Sequence, residues 1–62
     1  MIYVVRRHDH ELLHTYTDWE CNAYDRALQD IKVHAYRYLE EMISTDGTLV
    51  IFVDRPEDIS RN

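Results

Sequence analysis

The spacing of apolar positions changes twice along the chain. Residues 2–7 (Ile2, Tyr3, Val4, Val5, Arg6, Arg7) are rich in β-branched and aromatic side chains, the composition of a strand. The polar group His8-Asp9-His10-Glu11 interrupts this run. Alternation then resumes over about 11–19, through Leu12, Thr15, Tyr16, Thr17 and Trp19. Two such runs across a short polar link predict a β-hairpin, and no Asn-Gly or Asp-Gly pair specifies its turn type. From Asn22 the spacing lengthens. Tyr24, Leu28, Ile31, Ala35, Tyr38 and Met42 follow one another at intervals of three or four residues, which predicts one helix over about 23–44. Asn22 is its candidate N-cap, with Asp25 placed to meet the helix dipole, and Thr17 to Glu20 spells an earlier capping box. Arg26–Asp30 and Arg37–Glu41 are expected as i,i+4 pairs on the outer side, and Gly47 falls where a left-handed stop belongs. Residues 48–53 are apolar on both faces and predict a third strand. The tail 54–62 turns polar and is expected to fray.

This order predicts a single α+β domain over 1–62 of ββαβ form: a three-stranded antiparallel sheet, order 2-1-3, with one helix packed on one face. Such a sheet has a second face with nothing on it. If Leu49, Ile51 and Val53 face the helix, Val50 and Phe52 point the other way, joined by Tyr3 and Val5 or by Ile2 and Val4. A sheet with one wet face should alternate apolar and polar residues, and the first and third strands do not. Unless Tyr16, His14 or the tail shields it, an exposed apolar face of this kind marks a contact.

Length sharpens the point. With 62 residues, the core supplies about 3–5 kcal/mol, and small domains add disulfides, a metal or association. Cys21 is the only cysteine, which excludes an intrachain disulfide and a multi-cysteine zinc site. Association or an unusually good core remains. Seven Lys and Arg against twelve Asp and Glu give a net charge of −5 and a pI near 5.1. Nucleic acid is therefore an unfavoured partner, since binding it requires clustered cations; Arg6-Arg7 is the only adjacent basic pair, and Asp9 and Glu11 follow at once. Net acidity suits a basic protein surface instead. The apolar run at the N-terminus is too short for a signal sequence, no stretch reaches about 18 apolar residues, and a lone cysteine fits a reducing compartment, so a cytoplasmic protein without a membrane span is expected.

Candidate chemistry is sparse. His8, His10 and His14 have the composition of a metal site but no diagnostic spacing. Asp30 and His34 stand at i,i+4, the spacing of a hydrogen-bonded pair. Cys21 would be reactive only at a helix N-terminus. There is no Ser-His-Asp spacing and no glycine-rich loop, Gly47 being the only glycine. No catalytic, cofactor or metal residue is assigned, and a non-enzyme is expected. Tyrosine makes up five of the seven aromatics, a side chain favoured at contact surfaces for its apolar body and polar tip. Tyr24 and Tyr38 belong to the core stripe, which leaves Tyr3, Tyr16 and Tyr36. The candidate partner-binding set is Tyr3, Val5, Arg6, Arg7, Asp9, Glu11, Tyr16, Tyr36, Val50 and Phe52. Asp9, Glu11, Asp18 and Glu20 would form an acidic steering rim, and Arg6 and Arg7 would anchor carboxylates of the partner.

In length, element order and the helix opening Asn22-Ala23-Tyr24-Asp25-Arg26-Ala27-Leu28, the chain resembles small bacteriophage proteins that take over host enzymes, among them inhibitors of RNA polymerase and of uracil-DNA glycosylase and an antitoxin against a ribonuclease. The resemblance implies a phage-encoded protein that inhibits a host protein by stoichiometric binding in the host cytoplasm. The alternatives are a homodimeric regulator that binds nucleic acid through Arg6, Arg7 and the open sheet, and a metal-binding module built on His8, His10 and His14.

Overall fold

A computed structural model describes residues 1–17 and 22–59. Its elements are β1 (Ile2–Arg6), β2 (Leu12–Tyr16), α1 (Ala23–Val33), β3 (Arg37–Ile43), β4 (Leu49–Asp54) and α2 (Pro56–Ile59). The class is α+β, with a helix packed on a sheet. The sheet has four strands in the order β2-β1-β4-β3, so the expected three-stranded ββαβ arrangement in order 2-1-3 is corrected. β2 ends at Tyr16, one residue short of Thr17; the further expected continuation to Trp19, Glu20 of the expected capping box and Cys21 lie outside the described residues. Part of the tail is ordered: Pro56 opens α2 at the position where its missing N–H costs nothing, and Asp58 accepts the Arg55 N–H at 3.2 Å.

The correction arises at Ala35, where the predicted helix ends after eleven residues. The Tyr36 N–H donates to Ile31 O at 2.9 Å and the Ala35 N–H to Lys32 O at 3.0 Å, which together close a Schellman motif. Ala35 takes the left-handed position of that motif, with φ 59°, where glycine is usual. Tyr36 then packs against the core cluster that contains Ile31, the apolar contact that accompanies this stop. Without a glycine or proline, the sequence offers no breaker.

Residues 37–43 form an edge strand instead. Its register against β4 slips between Tyr38 and Glu40, leaving Leu39 as a bulge. The inserted residue disguises the two-residue alternation and makes Ala35, Tyr38 and Met42 look helical in spacing. Gly47, with φ 90°, stops no helix; it turns the β3–β4 hairpin, where its N–H donates to Ser44 O at 3.0 Å.

Because β3 intervenes, the chain reverses once more before the last strand. β4 therefore runs parallel to β1, the two form the centre of the sheet, and each is flanked by its hairpin partner. The core lies between this sheet and α1. Val4, Ile51 and Val53 are fully buried there, with Tyr16 from β2 and Ala27 and Ile31 from α1, and each large aliphatic side chain contributes about 1.5–3 kcal/mol. No helix among the described residues is long and apolar enough to cross a membrane.

Candidate protein-binding face

Strand residues alternate between the two faces of a sheet, so the burial of Val4, Ile51 and Val53 under α1 puts Tyr3, Val5, Val50 and Phe52 on the other side. The parallel register sets Tyr3 beside Val50 and Val5 beside Phe52. Of the two sets considered for β1, the structure thus selects Tyr3 and Val5 for the open face. Cross-strand partners share a face, which adds Leu12 opposite Val5 and Met42 opposite Val50. Val5 is only 9% exposed and lies outside the core cluster under α1. Leu12 and Met42, on the outer strands, are more than half exposed. The His10 ring leans on Phe52 at 5.8 Å between centroids, from a hairpin turn in which His10 has φ 61°.

At the end of this face where β1 and β4 finish, the apolar patch gives way to charge. Arg37 pairs in register with Asp54 and Glu40 with Phe52. The Arg7 N–H donates to Val53 O at 3.0 Å and extends the β1–β4 ladder by one rung. Sequence reading missed Leu12, Met42, Arg37 and Asp54. Helical spacing absorbs Met42 into the stripe and pairs Arg37 with Glu41, whereas both lie on β3; Leu12 and Asp54 are single residues whose placement only the register supplies.

The remaining candidate residues are placed elsewhere. Arg6 is tied into the molecule: its Nε donates to Asp9 Oδ1 at 2.9 Å, and its terminal nitrogens lie 2.9 Å from Glu11 and 3.5 Å from Asp58. The hydrogen bond with Asp9 raises the Arg6 guanidinium further above its ordinary value and holds the Asp9 carboxyl well below the usual carboxylate range. Asp9 also accepts the Glu11 N–H at 3.1 Å, a local turn bond that secures the β1–β2 hairpin. Arg6 is thus held within the chain by Asp9, Glu11 and Asp58, so of the expected anchor pair only Arg7 stays out of an ion pair among the described residues, and Asp9 and Glu11 of the expected rim face Arg6. Asp18 and Glu20 lie outside the described residues.

Tyr16, expected on the contact surface, is in the core, and its hydroxyl donates to Asp30 Oδ2. Tyr36 sits on the helix side. Its hydroxyl and His14 Nε2 are 3.1 Å apart, and the His34 ring stacks on it at 5.2 Å. Asp30 and His34 form no side-chain dyad; His34 Nδ1 is 2.9 Å from the Asp30 backbone oxygen. His10 and His14 lie on opposite faces of the sheet, so the triplet His8, His10 and His14 does not converge. No cluster of three His, Cys, Asp or Glu able to hold a metal ion occurs among the described residues.

Comparison with protein-family models, with curated proteins and with solved structures finds no match in any of the three. The likeness to phage inhibitors rested in part on a strand-strand-helix-strand order, and the chain instead adds a second hairpin after the helix.

Proposed function

We propose that this chain is a protein-binding protein that acts by occupying a surface of its partner, with the open sheet face as its contact. A single observation supports this: four neighbouring apolar side chains of the two central strands, Tyr3, Val5, Val50 and Phe52, lie on the face opposite the helix, and Leu12 and Met42 extend the patch to both edges. Apolar area of this kind, rimmed by charge, gives a desolvated centre to an interface. The net charge of −5 favours a partner with a basic surface. As its setting we propose inhibition of a host protein, such as RNA polymerase, a nuclease or a defence factor, by a phage-encoded chain.

The reading against nucleic acid is strengthened by Arg6. Its charge is spent on three carboxylates, which leaves the Arg6-Arg7 pair with one available cation where phosphate binding needs several. The experiment is affinity capture with tagged protein from a host lysate at low and moderate salt, run beside a Leu12→Glu, Met42→Glu variant. Both positions are exposed, so the variant folds but places charge in the patch. One stoichiometric partner, lost with the variant, is the expected result. No partner at either salt concentration, or one retained equally by the variant, defeats the reading.

A further inference from the structure

We propose that, in the free protein, this face is covered by a second copy of the same chain, packed about a two-fold axis that runs along the strands between β1 and β4. The inference rests on the reading of the open face as a contact surface and names an occupant for it.

The two central strands pair in parallel. Tyr3 lies beside Val50 and Val5 beside Phe52. One rung further, the Arg7 N–H still bonds to Val53 O, and alternation brings Arg7 beside Asp54. Each rung thus combines unlike members: large with small, small with large, positive with negative. A two-fold axis along the strands lays β1 of one copy over β4 of the other at the same level. Tyr3 then meets Val50 of the second copy, Val5 meets Phe52, and Arg7 meets Asp54, each contact made twice by symmetry. The in-plane axis perpendicular to the strands would lay the charged end of one copy over the apolar end of the other and pair neither charge. Neither Arg7 nor Asp54 belongs to an ion pair among the described residues, so both charges are available. At the edges Met42 falls over Thr15 of the second copy and Glu40 over Leu12, a rim that stays partly wet.

Area sets the strength. Four strands about 4.8 Å apart, over about five residues of about 3.3 Å each, project roughly 300 Å² per copy. Side-chain relief increases this, and two copies together bury on the order of 1,000 Å², the lower limit for specific association. An interface at that limit belongs with weak, concentration-dependent associations.

Sedimentation equilibrium of the full chain from about 5 µM to about 1 mM, at low salt, tests this directly. A reversible monomer–dimer equilibrium is expected. Arg7→Asp alone, or Asp54→Arg alone, sets like charges against each other in both symmetric contacts and should raise the Kd about tenfold or more. An equimolar mixture of the two variants re-pairs opposite charges across the axis and should associate as the wild type does. A role for these residues within one chain cannot produce that rescue. A second measurement needs no variant: in a sample mixing isotope-labelled and unlabelled chains, intermolecular contacts are expected between the Tyr3 ring and the Val50 methyl groups.

A strict monomer over the whole range overturns the dimer and leaves the face to a foreign protein. A mixture no more associated than its components, or a dimer lacking the Tyr3–Val50 contacts, overturns the proposed axis. A monomer that still captures a stoichiometric partner defeats this inference alone. A dimer that captures none defeats the wider proposal alone.

Discussion

Replacing Tyr16 with phenylalanine separates the two functions of this side chain. Its ring is 5% exposed, packed with Ala27 and Ile31, and phenylalanine keeps that packing. What the change removes is the hydroxyl that β2 donates to the Asp30 carboxylate of α1. A hydrogen bond to a charged group contributes about 1.5–3 kcal/mol. Asp30 is half-buried, and water replaces the lost donor, which places the cost near the lower bound, about 1.5 kcal/mol. With an unfolding entropy of about 2.1 cal/mol/K per residue, a chain of 62 residues has roughly 0.13 kcal/mol/K, so the Tm should fall by about 11 °C. The pH dependence gives an independent check. Burial, then the bond to Asp30, pushes the Tyr16 hydroxyl well above the ordinary tyrosine range. A raised value in the folded state means that the stabilisation is complete below about pH 10, where tyrosine in the unfolded chain begins to ionise, and is lost as pH rises towards the folded value. The stability gap between wild type and Tyr16→Phe should thus stay constant from neutral pH to about 10 and close above it. Urea unfolding followed by circular dichroism between pH 7 and 11.5 measures both quantities. Equal stabilities at neutral pH, or a gap that persists unchanged beyond pH 10, would overturn this assignment of the hydroxyl's contribution.

Backbone conformation gives two opposite expectations. Ala35→Gly should stabilise the protein by about 0.5–1 kcal/mol, because the residue occupies φ 59°, whereas Gly47→Ala should destabilise it by about 1 kcal/mol through its φ of 90° alone, since an added methyl group meets nothing within 4 Å. Thermal melts of the two variants should therefore shift in opposite directions. Arg6→Gln should return the Asp9 carboxyl from well below the usual range towards about 3.9, readable in a carboxyl NMR titration, and its loss of Tm at neutral pH should shrink as pH falls below about 4, where the unfolded carboxylates protonate. Asp46 is lowered to about 2 by the Ser44 hydroxyl and the Thr48 N–H, so its stabilisation is present above about pH 4 and disappears between there and about 2. Asp46→Asn should flatten that part of the acid-unfolding curve.

The open face was readable in the sequence even though the topology was not. Val50 and Phe52 are apolar in a strand whose other face already supplies Leu49, Ile51 and Val53, and no arrangement of one helix covers both sets. That conclusion survives the change from three strands to four because it depends on alternation within β4 and not on its neighbours. The fate of individual polar residues was not readable. Arg6 and Arg7 are adjacent in sequence and look equivalent, but the hairpin turn folds Asp9 and Glu11 back onto Arg6 and leaves Arg7 at the end of the open face.

The α+β class, the positions of the first hairpin, the start of the helix, the apolar last strand and the surplus of apolar side chains are all legible in the sequence. These follow from local spacing and propensity, which act over one element at a time. Tertiary structure decided where the helix ends, that 37–43 is an edge strand, and that β4 runs parallel to β1. Ala35 stops the helix without a breaker because Tyr36 gains a place against Ile31 in the core. The bulge at Leu39 hides the strand period until β4 is beside it to define a register. A helix of about three more turns would satisfy the local pattern, but it would leave the exposed edge of β4 unpaired, and the hydrogen bonds of the β3–β4 ladder are available only when the whole sheet assembles.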